Sequence, residues 1–113
     1  MADEDYREER LHQIRENASR YAKAKADRVY LEHFRKSKLA LLMRRYSATH
    51  ETAVAQEREA RADPDYLEIL EGLREATEIE ERTRWELRIV EMQFEAWRTR
   101  AANSRAERQR YGA

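Results

Sequence analysis

The three histidines, His12, His33 and His50, are the side chains of this sequence best suited to binding a metal ion. Glu9 and His12 have the Glu-x-x-His spacing of helical di-iron bundles, in which residues three apart share a helix face. Such a site needs a second copy of the motif, and no other histidine follows a glutamate at this spacing. A symmetric dimer could supply that copy, but a solvated helix face explains the pair more simply. We therefore predict neither a metal nor a cofactor.

Four glutamates at helical spacing form an acidic row. They are Glu68, Glu71, Glu75 and Glu78. Such a row could imitate the phosphate backbone of DNA, as an inhibitor of a host nuclease or defence complex would need to do. The alternative, which we favour, is that basic side chains of the same helix and of a neighbouring helix neutralise the row. Those basic residues are Lys36, Lys38, Arg44, Arg45, Arg74 and Arg82.

A cluster of basic residues and a tyrosine close the sequence, and they could bind phosphates and stack on a base of single-stranded DNA. They are Arg98, Arg100, Arg105, Arg108, Arg110 and Tyr111. The alternative is that these arginines compensate the dipole at a helix C-terminus and pair with the acidic start of the chain. We favour this alternative over nucleic-acid binding.

Trp85, Ile89 and Met92 are spaced by four and three residues and define a second apolar edge, offset from the main apolar stripe of their helix. Tyr66 and Leu70 extend this edge weakly. A single helical hairpin buries only the main apolar stripe of this helix. We therefore expect the second apolar edge to contact a helix of another chain. The sequence therefore predicts a homo-oligomer with these three residues at its interface.

Enzymatic chemistry has little support in this composition. The sequence has no cysteine and only two glycines, which excludes thiolate chemistry and makes a glycine-rich nucleotide loop unworkable. It also lacks a Ser/His/Asp arrangement and a histidine cluster, so we predict a protein that is not an enzyme. The acidic first residues and the short apolar runs predict no signal peptide and no membrane contact, as expected of a cytoplasmic protein.

These candidate residues require two long helices to position them. We predict a first helix over residues 3–46, a connector with a short helix over 47–62, and a second long helix over 64–110. Asp63 and Pro64 favour this last start, because aspartate caps helix N-termini and proline suits the first helical position.

The second long helix carries a seam at alternating steps of four and three residues, which is typical of coiled-coil packing. Its positions are Ile69, Leu73, Ala76, Glu80, Thr83, Leu87, Val90, Phe94, Trp97, Ala101 and Ser104. The first helix offers a less regular apolar set. Its members are Leu11, Ile14, Ala18, Tyr21, Ala22, Val29, Tyr30, Leu31, Phe34, Leu41 and Leu42.

Charge is segregated along the chain, although the formal net charge is zero. Residues 1–50 carry 12 basic and 8 acidic side chains, residues 51–95 carry 6 and 14, and residues 96–113 carry 5 and 1. Because both long helices run from an acidic start to a basic end, antiparallel packing sets opposite charges side by side. We therefore predict an all-α fold in one domain, an antiparallel hairpin of long helices that assembles into a helical bundle.

The short connector also favours antiparallel helices, and placing Tyr46 opposite Asp65 sets their register. The pairs that this register predicts are Ile14 with Trp97, Tyr21 with Val90 and Arg28 with Glu80. Glu80 interrupts the apolar seam of the second long helix with a charge, and the last pair gives this carboxylate a basic partner.

Three stretches of the chain resemble a family of short, highly charged helical proteins of tailed bacteriophages and prophages. The stretches are 31–43 (LEHFRKSKLALLM), 55–66 (AQEREARADPDY) and 95–103 (EAWRTRAAN). Genes of that family tend to lie near phage recombination and single-strand annealing genes. The resemblance implies a phage or prophage origin, a bacterial cytoplasm and an accessory role in phage DNA metabolism. It contains no catalytic motif, so it assigns no functional residue.

The leading hypothesis is thus a non-enzymatic helical interaction protein, accessory to phage DNA recombination or replication, whose partner is a phage recombination protein. One alternative is an inhibitor of a host nuclease or defence complex that uses the acidic row. Another is a single-stranded DNA binder that uses the arginine-rich end. The sequence does not choose a partner among these.

Overall fold

The structure, a computed structural model that describes residues 3–112, consists of three α-helices. They are α1 (Asp3–Tyr46), α2 (Ala53–Ala62) and α3 (Pro64–Arg110). The two long helices pack against each other, and the short helix lies between them in the chain. The all-α helical hairpin predicted from the sequence is therefore confirmed.

The helix ends follow local chemistry. Thr52 has extended backbone angles, and its hydroxyl accepts a hydrogen bond of 3.2 Å from the backbone nitrogen of Ala55, which caps the start of α2. Asp63 caps α3 in the same way, because its Oδ1 accepts a bond of 2.8 Å from the backbone nitrogen of Asp65. Pro64 then occupies the first helical position, where its missing N–H leaves no bond unmade.

The chain packs as two compact units, of which residues 22–81 form one. Every described residue that is less than 9% exposed belongs to this unit. Leu42, Ala60 and Tyr66 form its small apolar core, in which one residue comes from each helix. The sequence placed Tyr66 on the exposed second edge, and this was wrong. Its ring is only 2% exposed, because α2 folds against the end of α1 and covers it.

Polar bonds also connect the helices of this unit. The Tyr46 hydroxyl donates a 2.7 Å bond to Oδ2 of Asp63, and a guanidinium nitrogen of Arg35 donates one of 3.3 Å to the Tyr66 hydroxyl. Arg28 forms a two-bond ion pair with Glu80. That pairing is the one the sequence predicted for the charged break in the α3 seam, and it is confirmed.

Residues 3–21 and 82–112 belong to the other unit. Here the Trp97 ring contacts two other rings, with its centroid 5.1 Å from that of Tyr6 and 5.9 Å from that of Phe94. The predicted pairing of Trp97 with Ile14 was wrong. Tyr6 precedes Ile14 by eight residues, about 12 Å along a helix. The residue of α1 whose ring contacts Trp97 is thus Tyr6 and not the one that the register extrapolated from the connector predicted.

Candidate interaction surfaces

The second apolar edge of α3 lies exposed, as an interface for another chain requires. Trp85 is 55% exposed, Ile89 50% and Met92 55%. Leu87 and Val90, which belong to the seam, are half-buried. The guanidinium carbon of Arg84 lies 5.1 Å from the centroid of the Trp85 ring and so shields part of one face. The edge therefore offers three large apolar side chains, about 10 Å from first to last along the helix.

A second exposed apolar surface lies on α1 within residues 22–81, and the sequence did not anticipate it. Tyr30, Phe34 and Leu41 are exposed, and the two rings stack with centroids 6.1 Å apart. The sequence included these residues in the less regular apolar set of the first helix. The half-buried or buried positions of α1 form a different stripe. Over residues 21–42 this stripe consists of Tyr21, Ala24, Arg28, Leu31, Arg35, Lys38 and Leu42. The regular steps of three and four residues between these positions could have identified the stripe. Several of the positions are basic, so a search for apolar residues does not find it.

The four glutamates of the acidic row are all exposed. Arg74 binds one of them through two hydrogen bonds to Oε1 of Glu71, and this bond lowers the pKa of that carboxyl. It also raises the pKa of Arg74, to which the charges of Glu78 and Glu75 contribute. Arg74 is thus placed where the sequence expected a neutralising residue.

Two other residues proposed to neutralise this row contact different carboxylates. Lys38 Nζ lies 3.9 Å from Oδ2 of Asp65, and Arg45 Nη1 lies 3.9 Å from Oδ2 of Asp63. Both act at the start of α3, before the acidic row begins. Of the residues proposed to neutralise the row, Arg74 therefore contacts it, whereas Lys38 and Arg45 contact carboxylates that precede it.

All five arginines of the predicted nucleic-acid site are exposed. Because successive residues turn by about 100° around a helix, Arg98 and Arg105 share a face, whereas Arg100 and Arg110 point to the other side. Arg98 also contacts its own helix, with Nη1 3.4 Å from Oε1 of Glu95. The arginines thus surround the helix instead of forming one track, as a phosphate backbone would need.

His12 contacts a carboxylate other than the one its motif suggested. Its Nε2 lies 3.0 Å from Oε1 of Glu16, and both side chains are exposed. Among residues 3–112, no group of three or more His, Asp or Glu side chains is arranged to hold a metal ion. The Glu9 and His12 pair therefore lies on a solvated face.

Neither long helix contains, within the described part of the chain, an apolar stretch that could cross a membrane. No protein-family model, curated protein or solved structure matches this chain. The surfaces described above are therefore the basis on which a function is proposed.

Proposed function

We propose that this protein is a non-enzymatic helical interaction protein that binds a helix of a second chain through Trp85, Ile89 and Met92. The exposure of these three residues on one face of α3 is the observation that supports it. Their spacing of four and three residues matches the ridge that one helix inserts between the side chains of another. An exposed tryptophan flanked by aliphatic side chains is also the composition of an interface hot spot.

A second copy of the same chain is the partner we propose for this edge. Two hairpins that pair their α3 helices around a twofold axis bury both edges at once, because the same patch then serves both chains. The product is a four-helix arrangement, in which helices cross at about 20°. Such pairing also buries apolar side chains in the unit of residues 3–21 and 82–112, where no described residue of the single chain is less than 9% exposed.

Light scattering on the wild type and on Trp85→Glu tests this proposal. Truncating an anchoring tryptophan costs about 2 kcal/mol or more, which weakens dimerisation by about thirtyfold, and a buried carboxylate adds to that cost. We expect a wild-type dimer or larger assembly and a monomeric variant. Val54→Glu is the matched control, because Val54 is an exposed apolar residue on α2, and it should leave the assembly intact. A monomeric wild type at tens of micromolar, or an unaltered assembly of Trp85→Glu, contradicts the proposal.

We further propose that the assembled protein is accessory to phage DNA recombination or replication. The support is the resemblance of residues 31–43, 55–66 and 95–103 to small helical phage proteins. Affinity purification from infected cells followed by mass spectrometry tests it. Specific recovery of a phage recombinase is the expected result. Recovery of a host nuclease instead favours an inhibitor that uses the acidic row, and nuclease-sensitive recovery of many DNA-binding proteins favours direct DNA binding.

A further inference from the structure

A groove opens between the start of α1 and the end of α3, wholly within the unit of residues 3–21 and 82–112. Its volume is about 650 Å³, which falls in the range of about 300–1,000 Å³ typical of ligand-binding sites. We call it the arginine-rimmed groove. Its lining residues include Arg7 and Leu11 of α1 and Phe94, Trp97, Arg98 and Arg105 of α3.

The rim of the groove is positively charged. Arg98 and Arg105 are seven residues apart, two turns along one face of α3, and Arg7 comes from the other helix. All three are exposed. Glu95 is the one acidic residue of the lining, and Arg98 already binds it. The rim thus has an excess of guanidinium groups, which bind carboxylates or phosphates in a planar, two-bond geometry.

The floor of the groove is apolar. Leu11, Phe94, Trp97 and Ala101 contribute its surface, and the rings of Phe94 and Trp97 stack on each other. A ligand that fills this groove therefore combines a large apolar group with negative charge close beside it. Two kinds of macromolecule have such chemistry, namely an acidic peptide with an aromatic or leucine side chain and a single-stranded nucleic acid.

The packing of the rings decides between them. Trp97 contacts both Phe94 and Tyr6, and guanidinium groups lie over those two rings, at 5.9 Å for Arg98 over Phe94 and 4.9 Å for Arg10 over Tyr6. Bases bind single-strand proteins by stacking on ring faces, and Phe94 and Trp97 of the groove already have a ring or a guanidinium group against them. An aliphatic or aromatic side chain needs only the ring edges and the methyl groups beside them.

The charge next to the groove points the same way. The first turns of α1 carry five carboxylates, which a phosphate backbone that continues past the groove would meet. They are Asp3, Glu4, Asp5, Glu8 and Glu9. All the carboxylates of a short acidic segment can lie beside the arginines of the rim, so the segment avoids this repulsion. We propose that the arginine-rimmed groove binds an acidic peptide segment of a partner protein, with one large apolar side chain inserted on the floor.

This inference does not depend on self-association, because none of Trp85, Ile89 and Met92 lines the groove. Selection of binders from a displayed library of random peptides tests it. We expect the enriched peptides to combine aspartate or glutamate with tryptophan, phenylalanine or leucine. A fluorescently labelled enriched peptide then serves as the probe, and its affinity is measured by anisotropy.

The decisive variant replaces the rim as Arg7→Gln, Arg98→Gln and Arg105→Gln together. Since hydrogen bonds to charged groups are among the strong ones, we expect affinity for the probe to drop by about tenfold or more. The matched control removes three arginines that do not line the groove, as Arg100→Gln, Arg108→Gln and Arg110→Gln. Circular dichroism verifies that both variants are helical, and the control should bind nearly as well as the wild type.

Three results would overturn the inference. The first is a selection that enriches no acidic, apolar sequences. The second is a probe whose affinity decreases equally in the rim variant and the control, which indicates nonspecific attraction by charge. The third is binding of an oligothymidine strand that the rim variant loses and the probe peptide does not displace, because the groove is then a nucleic-acid site.

Discussion

Asp63 combines two roles in one side chain. It caps the start of α3 through the backbone nitrogen of Asp65, and it accepts the hydroxyl hydrogen bond of Tyr46 from the end of α1. Both bonds favour the ionised carboxylate, so the pKa of Asp63 is lowered, with the Tyr46 bond as the larger cause. The same bond raises the pKa of Tyr46, because ionising the phenol would place a second negative charge beside Asp63.

These two pKa shifts predict the lower and the upper pH limit of the range in which the Tyr46–Asp63 bond stabilises the fold. Asp63 stabilises the fold fully above its unfolded pKa of about 4, and this contribution is lost as the pH falls through the lowered folded pKa. Tyr46 stabilises it fully below about pH 10, and that contribution is lost as the pH rises through the raised folded pKa. We expect Tyr46→Phe to lower the thermal midpoint most between about pH 5 and 9. Calorimetry of both proteins across pH checks this, and a difference that is constant with pH contradicts it.

Gly72 is an unusual residue for its position inside α3. A glycine there costs about 1 kcal/mol relative to alanine, because the unfolded chain has more freedom to lose. A Cβ atom at this position would have no heavy atom within 4 Å among those of the packed chain. Packing within the chain therefore does not require the glycine.

We accordingly expect Gly72→Ala to increase the free energy of unfolding by about 0.5–1 kcal/mol. Urea denaturation followed by circular dichroism measures the change. Gly112→Ala is the contrasting control. Gly112 has a φ of +69°, which alanine adopts only with strain, so this variant should gain nothing. A destabilised Gly72→Ala would show that another chain approaches the helix closely at this point.

At the scale of the helix, the seam of α1 consists partly of basic residues. Arg28, Arg35 and Lys38 occupy positions on the stripe that faces the other helices. Arg28 and Glu80 are the least exposed ion pair described between two helices, with 28% and 15% of their side chains exposed. Long basic side chains can cover apolar neighbours with their methylene groups while their charged ends reach a carboxylate or water.

A double-mutant cycle on this pair measures what the arrangement contributes. Glu80→Leu alone removes a carboxylate that Arg28 binds in a partly buried place, and we expect it to destabilise the fold by about 1 kcal/mol or more. Arg28→Leu combined with Glu80→Leu should recover most of this loss, because two leucines can pack in the seam. Single and double variants that lose stability additively would show that the two charges are not coupled.

The packed face of α3 can be recognised in the sequence and that of α1 cannot, for a physical reason. The apolar residues of α3 repeat at steps of three and four, and the seam they predict is half-buried from Ile69 to Ala101. The apolar residues of α1 do not, because Arg28, Arg35 and Lys38 take seam positions. Tyr30, Phe34 and Leu41 belong to the apolar set of this helix in the sequence and are exposed in the structure.

The arginine-rimmed groove could not be predicted at all. Its rim joins Arg7 of α1 to Arg98 and Arg105 of α3, and such a combination requires the register between the helices. The register from the connector put Ile14 against Trp97 and so hid the groove. Arg98 and Arg105 were identified only as part of a general basic end.

For the whole molecule, burial is unevenly distributed. Leu42, Ala60 and Tyr66 give the unit of residues 22–81 a core, whereas no described residue of the other unit is buried to that degree. Amide hydrogen exchange follows the free energy of local opening, which depends on such burial. We expect slow exchange near Leu42 and Tyr66 and fast exchange in residues 3–21 and 82–112. Uniform protection along both long helices, measured by mass spectrometry, would contradict this.

This distribution has a thermodynamic consequence for recognition. Both surfaces that we assign to partners, the edge at Trp85 and the arginine-rimmed groove, belong to the unit without buried residues. A partner that binds there must also suppress local opening of the helices, so part of the interaction free energy goes into ordering the site. The first partner to bind then reduces the free energy that is needed to order the helices when the second partner binds. Occupancy of one surface is therefore expected to tighten binding at the other, with no change in the shape of either.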